Sequence, residues 1–167
     1  MRLTIAAVGR SRESPEQALC ELYCERARSF APKLGFSKLD LIVVDTSRAA
    51  TPDARMKDEA EKLTRKLPAG AHRIALDEAG RAMSSEIFAS HLRRLGDSGA
   101  RDLAFLIGGP DGLAPSLRDG AHERLAFGPQ TWPHLLVRAM LAEQIYRAFA
   151  ILSGHPYHRA RPPLKAR

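Results

Sequence analysis

The regular alternation of short apolar runs with longer helical segments limits the folds that this chain can adopt. Four runs with β-strand character, at residues 3–8, 39–44, 73–76 and 103–107, are separated by segments whose apolar residues recur with a helical period. This alternation is typical of a parallel sheet whose connecting helices pack on both of its faces. The run at 103–107 is apolar throughout, as expected for a strand buried on both faces. We therefore predict an α/β fold with a parallel sheet and helices on both faces.

Capping and helix-breaking residues predict where the helices begin and end. Ser-Pro and Thr-Pro pairs supply N-cap and first-turn residues, and glycines follow the third and fourth helices. The predicted helices run from Pro15 toward Phe30, from Pro52 to about Leu67, from a cap at Ser84 and Ser85 to Gly96, and from about Leu135 to Leu152. Residues 125–127 are a candidate fifth strand.

Length and composition indicate one domain over residues 1–167. A chain of 167 residues can bury a core, and 44% hydrophobic and 27% charged residues are ordinary for a folded soluble protein. No apolar run approaches a membrane span, and the N-terminus lacks the apolar core and cleavage site of a signal peptide. We therefore expect a cytoplasmic protein that has no membrane partner.

Cys20 and Cys24 are spaced to share one face of the first helix. A disulfide is not expected in a reducing compartment, and no other soft ligands cluster nearby to complete a metal site. We interpret both as small core or interface residues and predict no metal cofactor.

Positive charge is concentrated late in the chain. Residues 124–167 contain seven Lys or Arg residues and one acid, Glu143, a surplus of +6 out of a net charge of +7. This polarisation favours a polyanionic partner such as RNA or DNA, although many basic proteins bind neither. The last eight residues, 160–167, are predicted to be a flexible basic tail.

A glycine-rich loop at residues 108–112, Gly-Gly-Pro-Asp-Gly, directly follows the most apolar strand. Glycines permit positive φ and let a ligand approach the backbone, and the alternative is a simple tight turn. The spacing matches neither a dinucleotide fingerprint nor a phosphate-binding P-loop, which argues against nucleotide-triphosphate chemistry and a standard NAD site. Nearby acids at strand ends and loop starts are ribose-contact candidates, each also explained as a turn or cap residue: Asp45, Asp77, Glu78 and Asp111.

A second constrained loop, residues 128–134, contains two prolines that limit its conformations. Its free backbone groups are available to an adenine edge or a ribose. Trp132 is the only tryptophan in the chain, and packing at an interface is the alternative interpretation of it. His134 is a candidate cap of the following helix, and Arg138 is a candidate anchor for the loop.

The last helix and the residues after it complete the candidate site. The helix has a wider apolar face than one sheet contact needs, which predicts a second partner surface, most simply another copy of the chain. The segment at 155–159, His-Pro-Tyr-His-Arg, offers a histidine that can act as a base, a tyrosine ring that can stack and an arginine that can bind a phosphate. The alternative is a solvated tail.

The first helix also has apolar residues at helical spacing, which predict its buried face. They are Leu19, Leu22, Tyr23 and Ala27.

Several motifs together resemble the ribosomal RNA large subunit methyltransferase H family, of the SPOUT class. They are Leu-Ile-Gly-Gly-Pro-Asp-Gly at 106–112, Thr-Trp-Pro-His at 131–134 with Arg138, Glu-Gln-Ile-Tyr-Arg-Ala at 143–148 and Tyr-His-Arg at 157–159. The segments 7–9 and 74–77 also fit. The likeness spans nearly the whole chain, and the order and spacing of the motifs are specific.

The resemblance implies an α/β sheet with a C-terminal trefoil knot, a homodimer, and transfer of a methyl group from S-adenosylmethionine to N3 of a pseudouridine. The substrate would be large-subunit (23S) ribosomal RNA or the assembled ribosome. The residues implied to contact the methyl donor are Leu76, Gly108, Phe127, Gly128, Pro129, Gln130, Thr131 and Trp132. The residues implied to serve the RNA base, from the partner subunit, are Tyr157, His158 and Arg159.

This chain departs from the family pattern in two places. Gly-Pro-Gln-Thr stands at 128–131 where the family commonly shows Ser-x-Met/Leu-Thr, so side-chain contacts to the donor can differ while backbone contacts survive. Residues 160–167 extend beyond the usual end. His158 is the first candidate base for the N3 proton, Tyr157 or water is the alternative, and Arg159 can stabilise the resulting anion. The competing functions are methylation of tRNA or another rRNA site, and RNA binding without catalysis.

Overall fold

The computed structural model describes residues 1–10 and 13–159, and these form one five-stranded sheet with its connecting helices. The tail at 160–167 lies outside the described residues. The elements in chain order are β1 (Arg2–Val8), α1 (Pro15–Phe30), β2 (Lys38–Val44), α2 (Pro52–Thr64), β3 (His72–Ala82), α3 (Ser85–Asp97), β4 (Asp102–Ile107), α4 (Pro115–Arg118), β5 (Glu123–Ala126) and α5 (His134–Leu152). A short 3₁₀ helix, Ala31–Leu34, follows α1.

The sheet has the strand order β2-β1-β4-β3-β5, and all of its neighbouring strands are parallel. The predicted parallel α/β fold is therefore confirmed. β4 lies at the centre, between β1 and β3, and Leu103 to Ile107 are all at most 3% exposed. A strand that is buried on both faces explains why this run of the sequence is apolar throughout.

The alternation of side chains along β1 divides the core into two layers. Leu3, Ile5 and Ala7 face the layer that α1, α3 and α5 build, whereas Ala6 and Val8 face the layer that α2 builds. Helices therefore cover both faces of the sheet, as predicted.

Side-chain caps fix the starts of three helices at the predicted residues. The hydroxyls of Ser14, Thr51 and Ser84 accept hydrogen bonds from backbone N–H groups three residues later, at 3.1, 3.2 and 3.3 Å. Each such cap typically stabilises a helix by about 1 kcal/mol. α2 ends at Thr64, three residues before the predicted end.

The predicted buried face of α1 is partly wrong. Cys20, Cys24 and Ala27 are the buried residues, whereas Leu19 and Leu22 are 39% and 40% exposed. Both sets have helical spacing, and the close packing of α1 against α5 favours the smaller side chains at the contact. Both cysteines are free thiols, as expected.

The wide apolar face of α5 is largely covered within the same chain. α5 packs against α1 on one side and α3 on the other, as well as against β1 and β4. The breadth of its apolar face therefore does not by itself require a second copy of the chain.

β3 extends beyond the predicted end at Leu76, with an irregular segment before it resumes pairing with β5. Leu125 is opposite both Leu76 and Arg81, so residues 77–80 bulge out of the ladder. Gly80 packs directly on the β5 backbone, where an added Cβ would lie 2.7 Å from atoms of Leu125. Sequence analysis missed both this bulge and the short helix α4.

Within residues 1–10 and 13–159, no helix combines the length and the apolarity that crossing a membrane requires.

Candidate active site

A cavity of about 910 Å³ opens at the carboxyl ends of β3, β4 and β5, beside the start of α5. This is the edge of a parallel sheet at which ligands usually bind. Its volume lies within the range of small-molecule sites. Three segments that are distant in sequence line it: the β3 bulge, the glycine loop after β4 and the loop between β5 and α5.

Seven of the eight residues predicted to contact a methyl donor line this cavity. They are Leu76, Gly108, Phe127, Gly128, Gln130, Thr131 and Trp132. Pro129 belongs to the same loop but is exposed and is not among the lining residues. Of the four candidate ribose contacts, Asp77, Glu78 and Asp111 line the cavity, whereas Asp45 forms an exposed ion pair with Arg10 at 3.2 Å.

The glycine loop is folded so tightly that side chains cannot be accommodated at two of its positions. A Cβ at Gly108 would lie 2.3 Å from the carbonyl carbon of Gly112, and one at Gly109 would lie 2.9 Å from Val8. Gly112 has a φ of +90° and donates its N–H to the carbonyl of Gly109 at 2.9 Å. The loop therefore presents its backbone to the cavity.

Arg55 of α2 braces this loop from outside, and Glu59 of the same helix lies beside Gly109. Arg55 donates two hydrogen bonds to the Asp111 carboxylate, at 2.7 and 3.1 Å, and this pairing lowers the pKa of Asp111. Glu59 is 2% exposed and accepts the backbone N–H of Ser47 at 2.8 Å, while its second carboxylate oxygen has no partner among the described residues. Sequence analysis missed both, because α2 has the composition of an ordinary solvated helix.

A hydrogen bond joins the β3 bulge to the loop between β5 and α5. The hydroxyl of Thr131 donates to the carboxylate of Glu78 at 2.6 Å. Trp132, next to Thr131, is 39% exposed and lines the same cavity. The hydrogen bond therefore joins two exposed residues, Glu78 and Thr131, at the edge of the cavity.

His134 and Arg138 contact the turn after β1. A Cβ at Gly9 would lie 2.5 Å from Nε2 of His134, and the guanidinium of Arg138 donates to the Gly9 carbonyl at 3.2 Å. The side chain of His134 makes no cap hydrogen bond at the start of α5. Arg138 was predicted to anchor the proline loop, but its hydrogen bond goes to the turn after β1 instead. Burial lowers the pKa of His134, and Arg138 adds to the effect.

Tyr157 is held against α5 by contacts with three residues of that helix: Tyr146, Arg147 and Glu143. Its ring lies 4.4 Å from that of Tyr146, and the Arg147 guanidinium lies 4.8 Å from its centroid. Its hydroxyl donates to Glu143 at 3.0 Å, and Glu143 also pairs with Arg147. Burial, followed by hydrogen bonds to Tyr23 and Glu143, raises the pKa of the Tyr157 phenol well above its ordinary value.

His158 and Arg159 do not reach the cavity of their own chain. Nε2 of His158 lies 2.9 Å from the Glu86 carboxylate on α3, and Arg159 is exposed. The pKa of Glu86 is lowered first by its own backbone N–H and then by Ser84 and His158. Tyr157 is likewise absent from the cavity lining. Within one chain, the predicted donor-contact residues and the predicted RNA-base residues therefore lie at separate places.

A second, more apolar cavity of about 600 Å³ lies between α1, α3 and α5. Leu19, Phe88 and Met140 are among its lining residues, with Glu143 and Gln144 also part of the wall. Residues 125–128 line both cavities and therefore form a wall between them.

Some of the arginines in the C-terminal part of the chain are buried or paired within the fold. Arg138 is 1% exposed, and Arg147 is paired with Glu143. Arg124 and Arg159 are exposed and available to a polyanion. The basic surface is therefore weaker in the described residues than the sequence count indicates.

Comparisons with known proteins cover nearly the whole chain. The chain matches a family model described as predicted SPOUT methyltransferase over residues 1–158. A ribosomal RNA large subunit methyltransferase H from Phenylobacterium zucineum is 50% identical over 159 residues, covering 95% of this chain and 99% of that protein. Its namesake from Bradyrhizobium diazoefficiens is 47% identical over 160 residues, covering 96% and 100%. A solved probable methyltransferase from Bordetella pertussis superposes with a TM-score of 0.48 at 17% identity, covering 88% of this chain and 95% of that one.

Proposed function

Because this chain belongs to the ribosomal RNA large subunit methyltransferase H family, of the SPOUT class, we propose that it methylates N3 of a pseudouridine in large-subunit ribosomal RNA. The methyl donor in this proposal is S-adenosylmethionine, and the substrate is the large-subunit ribosomal RNA itself or the assembled ribosome. The observation that carries the proposal is the convergence of seven predicted donor-contact residues on one cavity.

The cavity residues fit such a donor. The backbone of the glycine loop and of residues 127–132 offers N–H and C=O groups, and a Cβ at Gly108 would clash with Gly112. Leu76, Ile107 and Leu125 supply apolar surface, and Asp77 and Glu78 supply acceptors for hydroxyl or ammonium groups. When bound, the donor supplies an activated methyl group on a sulfonium.

We further propose a homodimer in which the C-terminal segment of one protomer completes the cavity of its partner. Tyr157, His158 and Arg159 lie away from the cavity of their own chain, which a dimer would explain. Leu19 and Leu22 expose apolar surface on α1 that a second copy would cover. The trefoil knot belongs to the same proposal.

In this mechanism the protein aligns the target nitrogen with the methyl carbon and accepts the proton that N3 loses. Alignment alone is worth roughly 7–11 kcal/mol in favourable cases. The imidazole of His158 accepts the N3 proton, and the guanidinium of Arg159 stabilises the charge that spreads to the flanking carbonyl oxygens. Tyr157 positions this segment through Glu143 and Arg147.

Two measurements test the proposal. Isothermal calorimetry should detect binding of S-adenosylmethionine, and mass spectrometry of ribosomal RNA should find a methylpseudouridine that is absent from cells without the gene. Absence of both signals would sink the proposal, whereas donor binding with an unchanged ribosomal RNA would redirect it to another RNA.

The catalytic roles are tested with His158→Ala and Arg159→Ala. Each variant should lower turnover at saturating donor while donor binding measured by calorimetry stays unchanged. Arg124→Ala, an exposed arginine in β5, is the matched control for general loss of positive charge. Near-normal turnover in both variants would remove these roles.

A further inference from the structure

We propose that Asp77 and Glu78 make the cavity selective for the positively charged methyl donor over the neutral product that it becomes. This inference rests on the proposed function and adds specificity-determining residues to it. It begins from an electrostatic contrast: the chain has a net charge of +7, yet the cavity edge formed by the β3 bulge is acidic.

The charged side chains that line the cavity do not balance. Asp111 is compensated by Arg55, and Arg118 is compensated by Asp119 at 3.0 and 3.3 Å. The lining carboxylates and guanidinium groups, counted together with these two partners, are four carboxylates and two guanidinium groups. The two carboxylates left over belong to Asp77 and Glu78.

These two carboxylates take their contacts from neutral donors. Asp77 accepts the backbone N–H of Ala79 at 2.8 Å, and Glu78 accepts the hydroxyl of Thr131 at 2.6 Å. Neither takes part in an ion pair among the described residues, although Arg118 lies within electrostatic reach of Asp77. His134 also lines the cavity, but burial favours its neutral form.

The backbone conformation of residues 77–80 explains why both acids line the cavity. The register shift between Leu76 and Arg81 excludes residues 77–80 from the ladder with β5, and three of these four residues line the cavity. A regular strand would instead alternate them between the two faces of the sheet. The bulge therefore places adjacent carboxylates on one site, a use of bulges that is common near active sites.

Methyl transfer removes the charge that these acids attract. The nitrogen lone pair forms the new N–C bond, the C–S bond breaks, and its electron pair stays on sulfur, so the sulfonium becomes a neutral thioether. The N3 proton goes to the base. The carboxylates therefore attract the donor and lose that attraction to the product, which favours product release.

Calorimetry on the wild-type chain tests this with three ligands: S-adenosylmethionine, S-adenosylhomocysteine and sinefungin, which has a cationic amine in place of the sulfonium. We expect the wild type to bind both cations more tightly than the neutral product. Asp77→Asn and Glu78→Gln should each reduce that preference about three- to fivefold, as expected for one partly screened charge. Affinity for the product should change less than twofold.

Two control variants separate charge from structure. Thr131→Val breaks the hydrogen bond to Glu78 but keeps the carboxylate. Because Thr131 is itself a predicted donor contact, we expect all three affinities to fall together and the ratio of cation to product affinity to stay at the wild-type value. Asp45→Asn makes the same chemical change at the same sheet edge outside the cavity and should leave all three affinities unchanged. Equal weakening of all ligands in Glu78→Gln, or an unchanged preference in both acidic-site variants, would overturn the inference.

The outcomes also distinguish this inference from the proposed function. If the wild type binds neither donor nor product, the proposed function fails first. If it binds both and the variants keep the wild-type preference, only the selectivity role of Asp77 and Glu78 is lost.

Discussion

The guanidinium of Arg138 in α5 lies in the interior and donates a hydrogen bond of 3.2 Å to the carbonyl of Gly9 at the end of β1. Arg138 is 1% exposed, and its Nε and Nη2 atoms have no hydrogen-bond partner among the described residues. Burial lowers the pKa of this guanidinium. Such a group is costly to bury, so it contributes more to the geometry of the β1 turn than to stability.

We therefore expect Arg138→Met to leave the free energy of unfolding within about 1 kcal/mol of the wild type. Methionine fills much of the same volume and removes the unpaired N–H groups, which offsets the lost bond to Gly9. Arg138→Ala should instead cost about 2–4 kcal/mol, because it leaves a cavity. Urea denaturation of both variants checks the prediction, and equal losses in the two would contradict it.

Gly9 is the second member of this contact, and Gly9→Ala should be strongly destabilising. Its φ is +93°, and an added Cβ would lie 2.5 Å from Nε2 of His134. Backbone strain and the displaced ring together should cost about 2–4 kcal/mol. Gly35→Ala is the matched control, because Gly35 has a φ of +80° with no atom within 4 Å of the added Cβ. Similar urea midpoints for the two variants would show that the His134 contact is unimportant.

The elements that sequence analysis predicted well depend on local signals. The caps at Ser14, Thr51 and Ser84 need only residues within one helical turn, and the apolar run of β4 reflects burial on both faces. The constrained loops at 108–112 and 128–134 were also predicted, because glycine and proline spacing is visible in the sequence. The assignment of Leu76, Gly108 and residues 127–132 to the methyl donor came from the family resemblance.

The features that sequence analysis missed depend on partners far along the chain. Arg55 braces Asp111 across 56 residues, and nothing in the charged pattern of α2 distinguishes it from its solvent-facing neighbours. The β3 bulge depends on how Gly80 meets the β5 backbone. The choice between Cys24 and Leu22 as a buried residue of α1 depends on the proximity of α5.

The pairing of Asp111 with Arg55 predicts a defined pH dependence. Because Arg55 lowers the pKa of Asp111 in the folded state, the pair stabilises the fold above the unfolded-state pKa of an aspartate, about 4. This contribution is lost as the pH falls from there through the folded-state pKa. The difference in unfolding free energy between wild type and Asp111→Asn should therefore be constant from pH 6 to 7 and shrink below about pH 4. Urea titrations at several pH values measure it, and a difference that grows toward low pH would contradict the prediction.

Tyr157 should serve the active site by position and not as a base. Burial and hydrogen bonding raise the pKa of its phenol, so the ionised form is negligible at neutral pH. Tyr157→Phe loses the hydrogen bond to Glu143 but keeps the ring contacts, so we expect a partial loss of turnover with an unchanged pH–rate profile from pH 6 to 9. His158→Ala should instead lose activity across that range. Single-turnover methylation of ribosomal RNA checks both variants. Loss of an ionisation step in Tyr157→Phe would return the base role to the phenol.

The thiols of Cys20 and Cys24 should be unreactive in the folded protein. The two side chains are 0% and 1% exposed, and a hydrogen bond with Cys24 together with burial raises the pKa of the Cys20 thiol. Reaction with Ellman's reagent at pH 8 should therefore follow global unfolding and should appear only above the urea midpoint. Ser29→Cys adds an exposed thiol on the same helix and should react within the mixing time, which shows that the reagent is active. Fast labelling of either native cysteine without denaturant would mean that α1 separates from α5 in solution far more often than their close packing implies.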